Sequence, residues 1–476
     1  MNQYTVTFLP DNITIQVTPN TTVLQAQIAA GLHPDAPCGG NGTCGKCKVQ
    51  IEGQEVLACQ TPVNRDMTVR TKAESSVRIL TEGISAETIP DDIDQYVLAF
   101  DIGTTTVVAY LLDGLTGKLL TQSSCMNPQS QYGADVISRI QYALDNGSMA
   151  LSSCIRQAME TLALDICEKS GISLEDITKT SIVGNTAMHH LLLGIDPKPL
   201  VTPPYMPAIF DAIQRNNTRI LPNIAGFVGG DTVGCMVSTR FDQQKKLTLL
   251  IDIGTNGEMV LGNKDRRIAC STAAGPAFEG AKISCGMRGA EGAVDHVAVQ
   301  DGEISYHVIG DVPAKGICGS GLLDLIAVLL EEEIIDESGC LEEKEYKLCD
   351  NVILTQKDVR EVQLAKAAIR AGIELLSQKM GTQIEDIQQV YLAGAFGNYL
   401  TPASACRIGM IPPVLLDRIV PIGNAAGEGA KLCALSADEF AYSQKLAKDT
   451  EFLELASLPQ FQDCYVDALE FSEEEE

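Results

Sequence analysis

Apolar and polar residues alternate twice near the start of the chain. Tyr4-Thr-Val-Thr-Phe8 alternates, a short polar stretch with Asp11 and Asn12 follows a proline, and Ile13-Thr-Ile-Gln-Val17 alternates again, predicting two strands of a hairpin. Thr21 and Thr22 then precede the run Val23 to Ala30 and Gly31, the pattern of a capped helix with a glycine stop. Lys48 to Ile51 reads as a further strand, so residues 1–72 predict a small sheet with one helix. Between Ala73 and Tyr96 the patterning weakens, and residues 73–96 are expected to be a linker. Beyond them two stretches nearly repeat: Leu98 to Ala109, containing Asp101-Ile-Gly-Thr-Thr-Thr106, and Leu249 to Val260, containing Asp252-Ile-Gly-Thr-Asn-Gly-Glu258. Each is an apolar strand ending in aspartate, a glycine-polar turn and a second strand. The two aspartates stand 151 positions apart.

A hairpin of this kind offers backbone N–H groups and hydroxyls at its tip. Gly103, Thr104, Thr105 and Thr106 form one tip, Gly254, Thr255 and Asn256 the other, and each could seat a phosphate. One D-x-G-T motif would be weak, but two at half-domain spacing are specific. Other phosphate motifs are missing: no G-x-G-x-x-G follows a strand, and Gly275-Pro-Ala-Phe-Glu-Gly280-Ala-Lys282 misses P-loop spacing by one residue.

With 476 residues and 45% hydrophobic content, the chain has room for roughly three domains with sizeable cores. A formal charge of −27 repels phosphate backbones and anionic lipid, which argues against nucleic acid as a partner. Met1 to Asn12 carry neither a basic nor an apolar targeting region, and the apolar run Leu322 to Leu330 is interrupted by Asp324 and too short to span a bilayer. The expectation is a cytoplasmic protein without a membrane partner. In that setting, clustered thiols among the 16 cysteines read as metal or redox ligands, and scattered ones mostly as small buried core residues, Cys235, Cys285, Cys318 and Cys406 among them.

The cluster is Cys38, Cys44, Cys47 and Cys59, spaced C-x5-C-x2-C-x11-C. Gly39, Gly40, Gly42 and Gly45 let the backbone curl with its N–H groups aimed at negatively charged sulfur. A [2Fe–2S] cluster is the favoured reading. A four-cysteine zinc site, a Cys44-x-x-Cys47 redox pair and plain structural thiols are the alternatives.

Further segments surround the hairpins. Gln389 to Leu392 is a strand, and Gly394, Ala395, Phe396 and Gly397 turn out of it, with small residues that admit a flat ring. Gly319 and Ser320 precede an apolar helix whose N-terminus suits an anion. Ile422 to Ala430 opens a closing helix. Ser181 to His190 is a strand, turn and helix start; His189 and His190 adjoin, cannot form an i, i+4 metal pair, and read as core or surface residues. Asn185 stands at that turn, and Asp231 follows the flexible pair Gly229-Gly230. Asn127 to Arg139 is either a contact to substrate or partner, or a capped helix start.

The cysteine segment resembles ferredoxin-type [2Fe–2S] domains, with an early fourth cysteine. The paired hairpins resemble the phosphate grips of the actin/Hsp70/sugar-kinase ATPase superfamily, which implies that Asp101 and Asp252 hold Mg2+ mostly through water, that residues 394–397 meet the adenosine of ATP, and that Asp231 and Asn185, in the first half, are the candidates for polarising a water. Together they resemble the reductive activators of corrinoid-dependent methyltransferases. That likeness rests also on Asn127-Pro-Gln-Ser-Gln-Tyr-Gly133, Val183-Gly-Asn-Thr-Ala-Met-His-His190, Gly275-Pro-Ala-Phe-Glu-Gly280 and Leu392-Ala-Gly-Ala-Phe-Gly397. It implies an α+β ferredoxin-like (β-grasp) N-terminal domain, then an α/β duplicated ribonuclease-H-like ATPase domain with halves 97–248 and 249–476. The implied activity is transfer of one electron to cob(II)alamin, using ATP. The implied partners are a corrinoid protein of a methyltransferase system and a low-potential electron donor, with a homodimer allowed. Physics agrees: an electron near about −400 mV must travel uphill to make cob(I), losing about tenfold in equilibrium constant per 59 mV, so a nucleotide must help. A redox-regulated kinase of the same fold, an activator of a radical dehydratase and a zinc-bearing ATP clamp are the rival readings.

Overall fold

In the computed structural model, which describes residues 3–10, 12–32, 34, 36, 40, 42, 45–71, 80–91 and 95–471, the two alternating runs form the hairpin β1 (Tyr4–Leu9) and β2 (Ile13–Val17). Helix α1 (Val23–Ala29) starts at Thr22, whose side chain accepts from the Gln25 N–H while the Gln25 side chain accepts from Thr22 N–H. Strands β3 (Lys48–Ile51), β4 (Gln54–Leu57) and β5 (Met67–Arg70) complete a sheet of order β2-β1-β5-β3-β4, with β5 parallel to β1. Val23, Leu24 and Ala26 of α1 bury against Val6, Phe8, Val49 and Val69 of that sheet. This is the expected β-grasp arrangement.

The duplication seen in the two aspartate motifs extends to whole sheets. In the first half, β6 (Tyr96–Ile102), β7 (Thr106–Asp113) and β8 (Leu119–Met126) are antiparallel neighbours. Helices α2 (Val136–Asn146) and α3 (Met149–Ser170) lead to β9 (Ile177–Gly184), parallel to β6, and then to α4 (Thr186–Leu193). Strands β10 (Ile213–Arg215) and β11 (Thr218–Ile220) follow, β11 lying parallel to β9, before α5 (Gly230–Ser238). The second half repeats the plan with β12 (Thr248–Ile253), β13 (Gly257–Gly262) and β14 (Arg267–Thr272). An insertion follows, with β15 (Ala293–Gln300), β16 (Glu303–Val308), β17 (Gly316–Ile317), α6 (Gly319–Glu331), β18 (Glu345–Cys349) and β19 (Val352–Thr355). Helix α7 (Gln356–Met380) then leads to β20 (Gln389–Ala393), α8 (Gly394–Tyr399), α9 (Pro402–Arg407), β21 (Ile419–Gly423) and α10 (Ala425–Leu435). The sheet orders are β10-β11-β9-β6-β7-β8 and β21-β20-β12-β13-β14-β22, where β22 is Glu451–Phe452.

Helices α5 and α10 fill the space between the sheets, and their core joins Val97 and Tyr110 of one sheet to Leu250 and Val260 of the other. They meet backbone to backbone: a Cβ on Gly429 would lie 2.2 Å from the Gly234 carbonyl oxygen. The glycines of the closing helix are therefore packing residues.

Three expectations change. Residues 394–399 form a short helix rather than a turn. Of the twelve cysteines outside the motif, six are fully buried, Cys125, Cys154, Cys285, Cys349 and Cys464 are half-buried, and Cys340 is exposed. Last, the described part of the segment read as a linker is strapped to the ATPase domain. Ile84 donates to the Ile422 carbonyl at 2.9 Å, Asn424 donates to the Glu82 carbonyl at 2.8 Å, and Asp91 accepts from Lys179 at 3.0 Å. Among the described residues, no helix is long and apolar enough to cross a membrane.

Candidate functional site

The two hairpin tips line one cavity of about 290 Å³ between the halves. Each turn closes alike, Gly103 N–H on the Thr106 carbonyl and Gly254 N–H on the Asn256 carbonyl, both at 2.9 Å. The chain leaving each third strand returns to its tip: Asn127 N–H donates to the Thr105 carbonyl and Gly275 N–H to the Thr255 carbonyl, again both at 2.9 Å. Glu279 joins the tips, accepting from Thr105 Oγ1 at 2.9 Å and from Thr255 Oγ1 at 2.5 Å. A carboxylate thus occupies donors that phosphate oxygens could use.

Beneath the first tip, the fully buried Arg139 donates from Nη2 to the Thr104 carbonyl (2.7 Å) and from Nε to the Gly133 carbonyl (2.8 Å). Asn127 Nδ2 donates to the Gly103 carbonyl at 2.7 Å. Asn185 caps α4 through its Oδ1 and donates from Nδ2 to Thr104 Oγ1 at 2.9 Å. Asp231 lies in the first turn of α5, brought close because Gly229 abuts the Asn185 backbone, where a Cβ would come within 2.6 Å of Cα. Asn424 caps α10 and donates from Nδ2 to Asp101 Oδ2 at 2.8 Å. At the second tip, Gly394 has φ +82° and its missing Cβ would lie 2.6 Å from Asp252 Oδ1, so a side chain is excluded twice over.

Six carboxylates line the cavity, Asp101, Asp231, Asp252, Glu258, Glu279 and Asp295, facing the single lining cation Arg288 among the described residues. Burial raises the Asp101 carboxyl to about 6, against a pull downward from the Asn424 hydrogen bond. Burial, then the charge of Asp101, raises Asp252 to about 6. Asp231 rises to about 7 by burial, then by the charge of Asp252, and Glu258 is pushed well above its ordinary value by burial and these neighbours. Such a group has an unmet demand for positive charge. At the other end of the cavity Phe278 and Phe396 stack, centroids 4.8 Å apart and planes 10° from parallel. Gly319 fits beside them only without a side chain, since a Cβ would lie 1.9 Å from the Phe278 carbonyl oxygen.

In the N-terminal domain, Cys47 and Cys59 flank the β3–β4 hairpin, and Ala58 N–H donates to the Cys47 carbonyl at 2.8 Å. Cys38 and Cys44 lie outside the described residues. Gly40 (φ +89°) comes so close that a Cβ would lie 3.8 Å from Cys59 Cβ and 3.1 Å from Leu24 Cδ2, and Gly42 and Gly45 also have positive φ. Gly40 against Cys59, with positive φ at Gly40, Gly42 and Gly45, fits a chain that turns around a small inorganic cluster.

Similarity to known proteins follows the same division. Residues 6–67 match the 2Fe-2S iron-sulfur cluster binding domain, 96–244 the RACo middle region, and 246–476 the C-terminal domain of RACo, the ASKHA domain. The chain is 33% identical to the corrinoid activation enzyme RamQ of Eubacterium limosum, covering 95% of this chain and 96% of that protein. The chain belongs to this family of corrinoid-activating reductases. It is likewise 27% identical to the [Co(II) methylated amine-specific corrinoid protein] reductase of Methanosarcina barkeri, over 79% of this chain and 77% of that one. The structure of a reductive activator for corrinoid, iron-sulfur protein superposes with a TM-score of 0.71 at 29% identity, covering 98% of both chains.

Family membership carries the [2Fe–2S] module and the nucleotide-binding fold with it. Within that fold the cavity gathers Asp101, Gly103, Thr104, Thr105, Thr106, Asn185, Asp231, Asp252, Gly254, Thr255, Asn256, Gly319, Ser320, Gly394 and Phe396. Gly397 is not among its lining residues and packs on its own strand at Leu392, while Gly394 lines the cavity and stands against the Asp252 carboxylate. His189 and His190 are buried, His190 accepting from Ala208 N–H and paired through Nδ1 with the Thr186 carbonyl. Sequence reasoning missed the roles of Glu279, Arg139, Asn424 and Arg288. Glu279 had one usable signal: it follows the third strand of its hairpin as Asn127 to Gln131 follows the other.

Proposed function

We propose that this protein reduces the cobalt of a corrinoid protein by one electron, with ATP and Mg2+ bound in the cleft between the hairpins. The observation that carries the reading is the mirrored pair of tips, each ending a strand in aspartate, with Glu279 standing on the hydroxyls of both. Asp101 and Asp252 would hold Mg2+, which would meet the charge demand of the buried carboxylates. The donors of Thr104, Thr105, Thr106, Thr255 and Asn256 seat the phosphates; Gly319, Ser320 and Phe396 border the adenosine. Asp231, raised to about 7, is poised to take a proton from water near neutral pH, and Asn185 orients that water. Hydrolysis then depends on positioning and charge neutralisation.

Cys38, Cys44, Cys47 and Cys59 would hold the [2Fe–2S] cluster, which would supply single electrons drawn from a low-potential donor. ATP drives the uphill transfer by shifting populations between arrangements of the domains, not by reacting with cobalt. The test is cobalt absorbance of a cob(II) partner protein mixed anaerobically with this protein and a chemical reductant. ATP with Mg2+ is expected to accelerate conversion to cob(I); equal rates with and without nucleotide reject the coupling.

A further inference from the structure

The N-terminal module rests on both halves of the ATPase domain at once. On one side Leu24, Ile28 and Leu32 face Pro128 and Gln131 across a narrow gap of about 60 Å³. That segment begins at Asn127, which holds Gly103 and Thr105 of the first tip. On the other side, Lys46, inside the cysteine loop, donates from Nζ to the carbonyls of Gly280 (2.6 Å) and Gly286 (2.9 Å). Gly280 is the residue after Glu279. Its loop is tightly closed, because a Cβ on Gly286 would lie 2.3 Å from the Gly280 carbonyl oxygen, so the two acceptors must move together. The module's two seats are thus the equivalent segments that follow the third strands of the duplicated hairpins.

We propose that Lys46 is a positioning residue that latches the cysteine loop to the second half, and that triphosphate in the cleft releases the latch. The proposal rests on the reading of the cleft as the ATP site and of the module as electron carrier. Glu279 holds Thr105 and Thr255, and a triphosphate brings like charge onto those donors. The carboxylate must then withdraw, carrying the adjoining Gly280 carbonyl away from the ammonium. A change of angle between the halves would strain this arrangement, because a module seated on both cannot keep both seats. Once freed from Lys46's acceptors, the cysteine loop can turn toward a partner's cobalt.

The experiment uses the full-length, cluster-loaded protein under argon. Acylation of Lys46 by an amine-reactive reagent, read by mass spectrometry, is expected to rise several-fold when adenylyl imidodiphosphate and Mg2+ are added. Unchanged or reduced acylation in protein that demonstrably binds the nucleotide overturns the latch, whereas failure to bind it rejects the reading of the cleft instead. In Lys46→Met, cob(II) reduction without ATP is expected to rise several-fold while the ATP-stimulated rate is kept, so that the stimulation ratio falls; Lys46→Arg should keep the ratio. A wild-type ratio in Lys46→Met overturns the proposal, and so does a lost stimulated rate over an unchanged basal one, since Lys46 would then transmit rather than restrain. If Lys46→Met loses the visible spectrum of the cluster, the acylation result alone decides.

Discussion

The first hairpin tip is held from below by the protein's own cation, whereas the second is shaped by the absence of side chains. At the first, Arg139 and Asn127 fix the carbonyls of Thr104 and Gly103, and Asn424 satisfies Asp101. Burial lowers the Arg139 guanidinium only to about 10, so it stays charged at neutral pH. At the second, Gly394 clears space at Asp252, and both burial and the neighbouring Asp101 push that carboxyl upward. The same strand-turn-strand unit has therefore been finished in two ways. One tip is held by side chains reaching beneath it and the other by close backbone packing, while both leave an aspartate raised to about 6 for a ligand to settle.

The comparison is broken most forcefully at Arg139. Arg139→Met removes two charge-assisted bonds to buried carbonyls and is expected to cost about 3 kcal/mol of stability, checked by denaturant unfolding; a loss below about 1 kcal/mol would mean the first tip stands without its cation. Next comes Asp252→Ala, which should weaken Mg2+-nucleotide binding about 10–100-fold by titration calorimetry and abolish ATP stimulation, with the visible spectrum of the cluster intact. Retained stimulation would remove Asp252 from the site.

The smallest effect is in pH. Asp101 and Asp252 near 6 and Asp231 near 7 all lie above their ordinary value of 3.8, so the folded state binds protons more tightly than the unfolded chain does. The stability this brings is complete below about pH 4 and is lost as pH rises through 6 to 7. Protein free of Mg2+ should therefore melt a few degrees lower at pH 8 than at pH 5, and Mg2+ with ATP should raise the melting temperature more at pH 8. Equal gains at both pH values would show that these carboxyls do not meet the cation.

What could be read in advance was local or repeated. The twin aspartate motifs reported the duplicated sheets because the same strand-turn grammar was written twice, and Thr21-Thr22 before an apolar run marked the start of α1. Glu279 was missed because one of its two partners, Thr105, is 174 positions away, and such a bond leaves no trace in periodicity. Arg139 passed as part of a helix start because nothing in its neighbours shows that the guanidinium turns inward. The pinning of residues 80–91 was invisible for the same reason as Glu279: Gly83 and Thr88 bond to the side chains of Glu428 and Glu439, 345 and 351 positions away.

That strap has a practical corollary for anyone dissecting the molecule. Leu80 borders the cavity, and Glu82 secures Asn424, the donor to Asp101. A fragment excised at the start of β6 would discard the hem that keeps this asparagine in register, and the cavity between the hairpins would be frayed from the outset. The natural seam between electron carrier and motor therefore runs upstream of Leu80, so that a stretch of apparent spacer belongs to the engine it leads into.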